Sequence, residues 1–408
     1  MRKLLTYENG FVVLMSLCNG VVAVDRLAVN FLSPYIVDEF HINNTQLGLL
    51  ASGLSVAIAC SGFLLASVAD ATRRRKQILL IMLFLFSICS ALSGLATGFA
   101  LLLGARILLG VMEGPIVPIA QSIVAIESTE SRRGLNMGIM LNLGAAIVGM
   151  GAGPIVATHV AEAYGWRYAF FLSAVPGLLL VAAIAIWVRK PAEAPRPAAD
   201  LTRAAQPGLA GVIKVLSTRN ILLCVLISGL YSAWLIVQSV FLPLYLVRVD
   251  AMKPTDMGTV IAITGIAAAI AGMAVPALSD RFGRKPMLAM ITLFGVVAPA
   301  ATLLVHGSPV LIALALFVGN FGGGAGPLYV AIVPSESVPA RYVATAVAVA
   351  LAAGEILGGV LAPTVAGRAA DLFGLGAPFW ISGGCAVVCS VLSLFLIETA
   401  PSRRRLPA

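Results

Sequence analysis

Apolar runs of about 20 or more residues recur along the whole chain and are separated by short polar segments. A run of this length can cross a bilayer as one α-helix, because a helix rises about 1.5 Å per residue and the hydrocarbon layer is about 30 Å thick. The pattern predicts twelve spans, six in each half of the chain. Their expected bounds are 10–36, 45–69, 77–97, 99–126, 136–161, 167–188, 220–247, 256–279, 286–306, 308–333, 342–367 and 376–398.

One long hydrophilic stretch, residues 189–219, divides the spans six and six. It contains several prolines and mixed charges, which favour a flexible linker, with a short interfacial helix expected at 208–216. The predicted organisation is therefore an N-terminal six-helix bundle at 1–188, a cytoplasmic linker, and a C-terminal six-helix bundle with a short basic tail at 220–408.

The two halves resemble each other in sequence at a nearly constant offset. The segment 45–48 (TQLG) corresponds to 255–258 (TDMG) at an offset of 210, and Gly153-Pro154 corresponds to Ala362-Pro363 at an offset of 209. Chance similarity among apolar segments would scatter the offsets instead. Parallel repeats of six spans are typical of transporters that hold a substrate near the midplane between their halves.

Composition and charge agree with a membrane protein. The chain is 60% apolar and 11% charged, with a mean hydropathy of +0.99, whereas soluble domains average about 25% charged residues. Of the 27 lysines and arginines, 21 fall on the side of both termini and 4 on the opposite side. This bias places both termini in the cytoplasm and explains the net charge of +9 without nucleic-acid binding.

The sequence lacks the features that would indicate other classes of protein. All six cysteines lie in apolar runs and suggest no disulfide framework. The sequence has no histidine cluster at membrane depth that would indicate an enzyme or a metal site. It also has no Gly-rich phosphate loop that would indicate an ATP-driven pump. The N-terminus leads into a long first span without a small-residue cleavage site, so we expect a retained helix rather than a signal peptide. Alanine-rich spans, minimal loops and the lack of targeting signals favour a multi-pass protein of the bacterial inner (plasma) membrane.

The loop after the second span of each half carries a motif. Residues 272–285, GMAVPALSDRFGRK, resemble the loop motif of the major facilitator superfamily, and Gly62…Asp70 with the basic cluster 73–75 is its first-half counterpart. A loop aspartate at a helix end beside arginine and lysine can latch onto the neighbouring bundle in one conformation, and such a pair biases the inward–outward equilibrium without locking it. We therefore predict gating roles for Asp70, Arg74, Asp280, Arg281 and Arg284.

Four ionisable residues lie deep within predicted spans: Asp25 and Arg26 in span 1, and Arg106 and Glu113 in span 4. Charges at this depth are costly and usually functional. Arg106 and Glu113 are seven residues apart and face nearly the same way, about two turns apart. The alternative is a purely structural network of buried ion pairs.

An Asp-Arg pair in span 1 with Arg-x6-Glu in span 4 resembles the anion:cation symporter branch of the superfamily, which includes sialin-like and sugar-acid/proton symporters. The resemblance implies alternating-access symport of a carboxylate-bearing small molecule, with no cofactor and with protons as the coupling ion. Asp25 and Glu113 would carry the protons, and Arg26 and Arg106 would bind the substrate carboxylate or stabilise the deprotonated acids. The same signature occurs in spinster-type lysolipid and sphingolipid transporters, and a proton-coupled exporter of another solute is a further alternative.

Glu355 in span 11 departs from this branch, which usually carries asparagine there. It could be a third proton site, a partner for a cationic substrate group, or a hydrogen-bond donor when protonated. Lone amides in apolar runs and an aromatic stripe with glutamine at helical spacing are further candidates for substrate binding. These candidates are Asn142, Tyr231, Trp234, Gln238 and Asn320.

Two further expectations concern helix shape and assembly. The glycine-rich segment 319–327 should break or soften span 10, and Gly149 to Pro154 should kink span 5. A monomer is expected, because a twelve-helix bundle can complete its own cavity.

Overall fold

The computed structural model describes residues 7–72, 74–189 and 209–400, apart from the side chains of residues 63, 66–71, 209 and 210. Within these ranges the chain is almost entirely helical and forms no strand. Eleven helices in this part are long and apolar enough to cross a membrane, and a shorter apolar helix of 17 residues follows them. We number them as spans 1 to 12: Tyr7–Phe40, Asn44–Thr72, Arg75–Gly94, Phe99–Glu127, Arg133–Tyr164, Trp166–Trp187, Arg219–Arg248, Pro254–Phe282, Arg284–Leu304, Pro309–Ser337, Ala340–Phe373 and Ala377–Ser393.

The predicted all-α membrane fold is confirmed, with most span ends within a few residues of their expected positions. Span 12 is an exception, because its regular helix stops at Ser393 and a turn follows. The short helix expected before span 7 is present at Leu209–Leu216. The rest of the linker, 190–208, and the basic tail from 401 onward lie outside the described residues.

The chain divides into two compact units, Met1–Pro195 with Ala251–Ala262, and Arg196–Asp250 with Ile263–Ala408. In the first, span 3 packs on spans 4 and 6, span 2 on span 4, and span 1 on spans 5 and 6. In the second, span 7 packs on spans 11 and 12, and span 9 on spans 10 and 12. The domain boundaries inferred from the sequence stay a prediction.

Small residues allow the helices of each unit to approach closely, as is common where lipid provides no hydrophobic drive for association. In the first unit, a Cβ added to Gly110 of span 4 would lie 2.7 Å from the carbonyl oxygen of Leu54 in span 2. In the second unit, a Cβ added to Gly319 of span 10 would lie 2.3 Å from the backbone nitrogen of Ala298 in span 9. A larger side chain at either glycine would therefore push two spans apart.

Several spans depart from the α-helix. Span 10 tightens to a 3₁₀ helix at Asn320–Ala325, which confirms the softening expected from its glycines. Spans 5 and 11 widen to π-helix at Ala145–Ala152 and Gly354–Leu361. The sequence suggested a kink in span 5 but gave no indication of π-helix in either span.

Candidate functional site

The first unit gathers the four charged residues that the sequence singled out. Span 1 provides Asp25 and Arg26, and span 4 provides Arg106 and Glu113. Asp25, Arg106 and Glu113 are at most 1% exposed, whereas the side chain of Arg26 is 43% exposed. One cation of the cluster is thus accessible, and the other three groups are enclosed by the helices.

Arg26 and Glu113 form the ion pair that joins spans 1 and 4. Both Nε and Nη2 of Arg26 lie 2.6 Å from Oε1 of Glu113. Charge-assisted hydrogen bonds of this kind are stronger than neutral ones. The carboxylate is fully buried and the guanidinium is not, so an incoming anion could reach only the cationic partner of the pair.

Asp25 is held by two serine hydroxyls for which the sequence gives no sign. Ser90 of span 3 and Ser173 of span 6 donate to its Oδ1 at 2.5 and 2.9 Å. The second oxygen, Oδ2, is buried without a hydrogen-bond partner among the described residues. A lone serine in an apolar span gives no sign of the residue it faces, because its partner lies on another helix.

Arg106 binds the main chain of span 1. Its Nη1 donates to the carbonyl oxygen of Asp25 and its Nη2 to that of Arg26, both at 2.9 Å. The third donor group, Nε, is buried without a partner in the described part of the chain. Arg106 therefore holds the backbone that carries Asp25 and Arg26, and substrate binding by its guanidinium stays a prediction.

In the second unit, the aromatic stripe of span 7 is interior. Tyr231 and Trp234 are buried and stacked with ring centroids 4.7 Å apart. The Tyr231 hydroxyl donates to the carbonyl of Gly322 at 2.9 Å, and the Trp234 indole donates to that of Gly295 at 2.8 Å. Gln238 is also buried, and its amide lies 3.4 Å from the carbonyl of Trp234. The pair packs where spans 9 and 10 are irregular, and a binding role for the stripe stays a prediction.

The remaining candidates for binding and proton coupling have mainly local contacts. Asn142 and Asn320 donate to carbonyls one turn back in their own helices, at 3.1 and 2.8 Å. Glu355 is exposed and belongs to the π-helical stretch of span 11. Their roles in transport stay predictions.

The predicted gating motif of the second unit is centred on Arg284, whose side chain is 7% exposed. Its Nη2 lies 2.6 Å from Asp280 and 3.0 Å from Glu336, and its Nη1 donates to the Ser279 hydroxyl at 2.6 Å. The contact between Asp280 and Arg284 lies within the loop itself, so the predicted latch onto the neighbouring bundle stays a prediction. The sequence gives no sign of the contact with Glu336, because this residue lies 52 positions further along, at the end of span 10.

The other predicted gating residues have fewer contacts. Arg281 is exposed, with its guanidinium carbon 5.8 Å from the centroid of the neighbouring Phe282 ring. Arg74 is exposed just before span 3. Asp70 lies in span 2, but its side chain falls outside the described residues.

Comparison with known proteins agrees with this architecture. The family model described as Major Facilitator Superfamily matches residues 15–356 and 239–408. A hexuronate transporter of Bacillus subtilis (strain 168) is 31% identical over 202 residues, which are 48% of this chain and 46% of that protein. The match thus spans less than half of that relative's length. YtbD, an uncharacterised transporter of the same organism, is 26% identical over 374 residues, 88% of each chain.

Among solved structures, a bacterial homologue of the human lysosomal transporter Spinster, inward-facing and unoccupied, has a TM-score of 0.77. It is 18% identical and the match covers 96% of this chain and 95% of that one, a similarity that establishes the fold alone. The family match extends over most of the chain and includes both repeats. This multi-pass membrane protein therefore belongs to the Major Facilitator Superfamily, a family of transporters and not of enzymes.

Proposed function

We propose that the chain is a proton-coupled symporter of a small organic anion, a sugar acid or another carboxylate, that works by alternating access. The observation that carries this proposal is the pair of Arg26 and Glu113, in which a buried carboxylate depends on a half-exposed guanidinium. The hexuronate transporter among the relatives is consistent with a carboxylate as substrate.

The coupling of substrate binding to proton uptake follows from the unequal burial of Arg26 and Glu113. A substrate carboxylate that binds Arg26 competes with Glu113 for the same guanidinium, which suits bidentate carboxylate binding. Glu113 then lies in a buried site without its counter-ion, where the neutral form of a carboxyl group is favoured. Binding of the anion is thereby linked to uptake of a proton, and both are released when the pair forms again.

Asp25 is the second proton carrier in this proposal. Its Oδ2 has no hydrogen-bond partner among the described residues, so that oxygen can hold a proton without displacing a donor. The neighbouring Arg106 remains bound to the main chain of span 1 and keeps Asp25 and Arg26 in register with span 4. We further propose a monomer in the bacterial inner membrane with both termini in the cytoplasm.

The experiment is uptake of labelled glucuronate into proteoliposomes that contain the purified chain. An inward proton gradient should drive accumulation, and a protonophore should abolish it. Glucose, which lacks the carboxylate, is the matched control and should not accumulate. Equal uptake of glucose, or uptake of glucuronate that ignores the gradient, would contradict the proposal, and movement of lysophospholipid instead would favour the lipid-transporter alternative.

A further inference from the structure

Spans 5 and 11 carry the same distortion at equivalent positions. The π-helical stretches Ala145–Ala152 and Gly354–Leu361 are both eight residues long and begin 209 residues apart. Each is followed by a residue whose N–H donates five positions back, from Gly153 to Val148 and from Ala362 to Leu357. Since π-helical turns are rare and concentrate at functional sites, their repetition indicates a feature that both halves need.

The helix that packs on each stretch also repeats its contacts. Span 1 lies on span 5 within the first unit, and span 7 lies on span 11 within the second. At each of these crossings a glycine allows the close approach. The paired positions, related by 209 residues, are Gly20 against Val148 with Gly229 against Leu357, and Ala23 against Gly149 with Ser232 against Gly358.

A polar contact repeats as well, although the side chains differ. The Asn19 amide donates to the carbonyl of Leu141 at 2.7 Å, and the Ser228 hydroxyl donates to the carbonyl of Ala350 at 2.6 Å. Asn19 and Ser228 are 209 residues apart, and so are their two acceptors. Each acceptor lies four residues before the eight-residue π stretch begins.

Span 1 makes additional bonds of this kind in the first unit, where a shorter π stretch, Ile139–Leu143, precedes the longer one. Asn19 also donates to the carbonyl of Met140 at 3.3 Å, and the Ser16 hydroxyl donates to that of Ile139 at 3.0 Å. In a membrane, side chains of a neighbouring helix can hydrogen-bond to backbone carbonyls where a helix departs from the regular pattern. The side chains of span 1 do so at three consecutive carbonyls, those of residues 139–141.

We propose that Asn19 and Ser228 are a pair of positioning residues that hold the turn ahead of each π stretch in place. Asn142 directly follows the acceptor Leu141, and Glu355 is the second residue of the stretch in span 11. The two bonds therefore set the direction of the polar side chains that spans 5 and 11 carry. The inference concerns the helices and holds whichever solute the protein moves.

Hydrogen–deuterium exchange of the purified full chain in lipid nanodiscs tests it without a substrate. Asn19→Ala should speed exchange of the amides in 139–152 by about threefold. This factor corresponds to the loss of one interhelical hydrogen bond of average strength in a membrane protein. Asn19→Ser should restore the wild-type rate, because a serine makes the equivalent bond in the second unit. Ser228→Ala should act in the same way on residues 350–361 alone.

Ser393→Ala is the matched control, because the buried Ser393 hydroxyl donates to a carbonyl of its own helix at 2.7 Å. It should leave exchange in both π stretches unchanged. Unchanged exchange in Asn19→Ala, no recovery in Asn19→Ser, or faster exchange spread over all spans would overturn the proposal. Where uptake is measurable, Asn19→Ala should lower the kcat of transport with little change in KM, and Asn19→Ser should recover the wild-type kcat. An absence of uptake in the wild type would contradict the proposed function but would leave the hydrogen-exchange result valid.

Discussion

The ion pair between Arg26 and Glu113 gives a prediction whose size follows from the burial of its partners. Arg26→Gln leaves a fully buried carboxylate without its counter-ion, whereas Glu113→Gln leaves a guanidinium that is 43% exposed. Stranding a buried charge costs about 3–5 kcal/mol, while exposed pairs contribute about 0.2–1 kcal/mol. Because one partner is half-exposed, we expect a loss of about 2–3 kcal/mol for Arg26→Gln and about 1 kcal/mol for Glu113→Gln.

Thermal unfolding of the purified variants in one detergent near neutral pH measures this difference. At about 2 °C per kcal/mol, Tm should fall by about 4–6 °C for Arg26→Gln and about 2 °C for Glu113→Gln. The double variant should be more stable than Arg26→Gln, since no buried charge is stranded, and Arg281→Gln on the surface is the control. A larger fall for Glu113→Gln, or zero coupling in the double-mutant cycle, would refute the reasoning.

Two further predictions concern packing and pH. Gly110→Val should clash with the Leu54 carbonyl and lower the free energy of unfolding by about 1–3 kcal/mol, seen as a lower Tm. Gly104→Val in the same span is the control and should change Tm little, because an added Cβ there meets nothing within 4 Å. Equal shifts in Tm for the two variants would argue against the close packing of spans 2 and 4. The hydrogen bond from His306 to Asp250, with the two atoms 2.6 Å apart, raises the pKa of His306 above its ordinary value of 6.5. The contact therefore stabilises the protein fully below about pH 6.5, and this stabilisation is lost as pH rises through the higher folded-state pKa. The difference in Tm between wild type and His306→Gln should be largest near pH 6 and vanish near pH 9. A difference in Tm that does not vary with pH would contradict this prediction.

The sequence predicts the spans and the charged cluster for the same physical reason. In lipid, backbone groups must be satisfied within the helix and charges are costly, so apolar runs define the helices and Asp25, Arg26, Arg106 and Glu113 stand out within them. Their gathering in one unit follows from the packing of span 1 near span 4. The glycines of span 10 likewise indicate that this helix is softened, and the structure has a 3₁₀ turn there.

Other features depend on helix rotation and on partners distant in sequence. Nothing in an apolar run distinguishes Ser90, which reaches Asp25, from serines that bond to their own helix. The sequence singles out Arg106 as a charge within span 4, but it gives no sign of the backbone carbonyls that its guanidinium binds, because every residue carries such a carbonyl. The sequence likewise gives no sign of the two eight-residue π stretches, since their residues do not differ in kind from those of the regular spans.

The central claim is that Asp25 and Glu113 carry the coupling protons. The most direct test compares proton-driven accumulation of labelled glucuronate with exchange of labelled for unlabelled glucuronate across the membrane, for wild type and for the Asp25→Asn, Glu113→Gln double variant. We predict that the double variant still exchanges the solute but no longer accumulates it under a proton gradient. Accumulation equal to that of the wild type would contradict the assignment of these two residues.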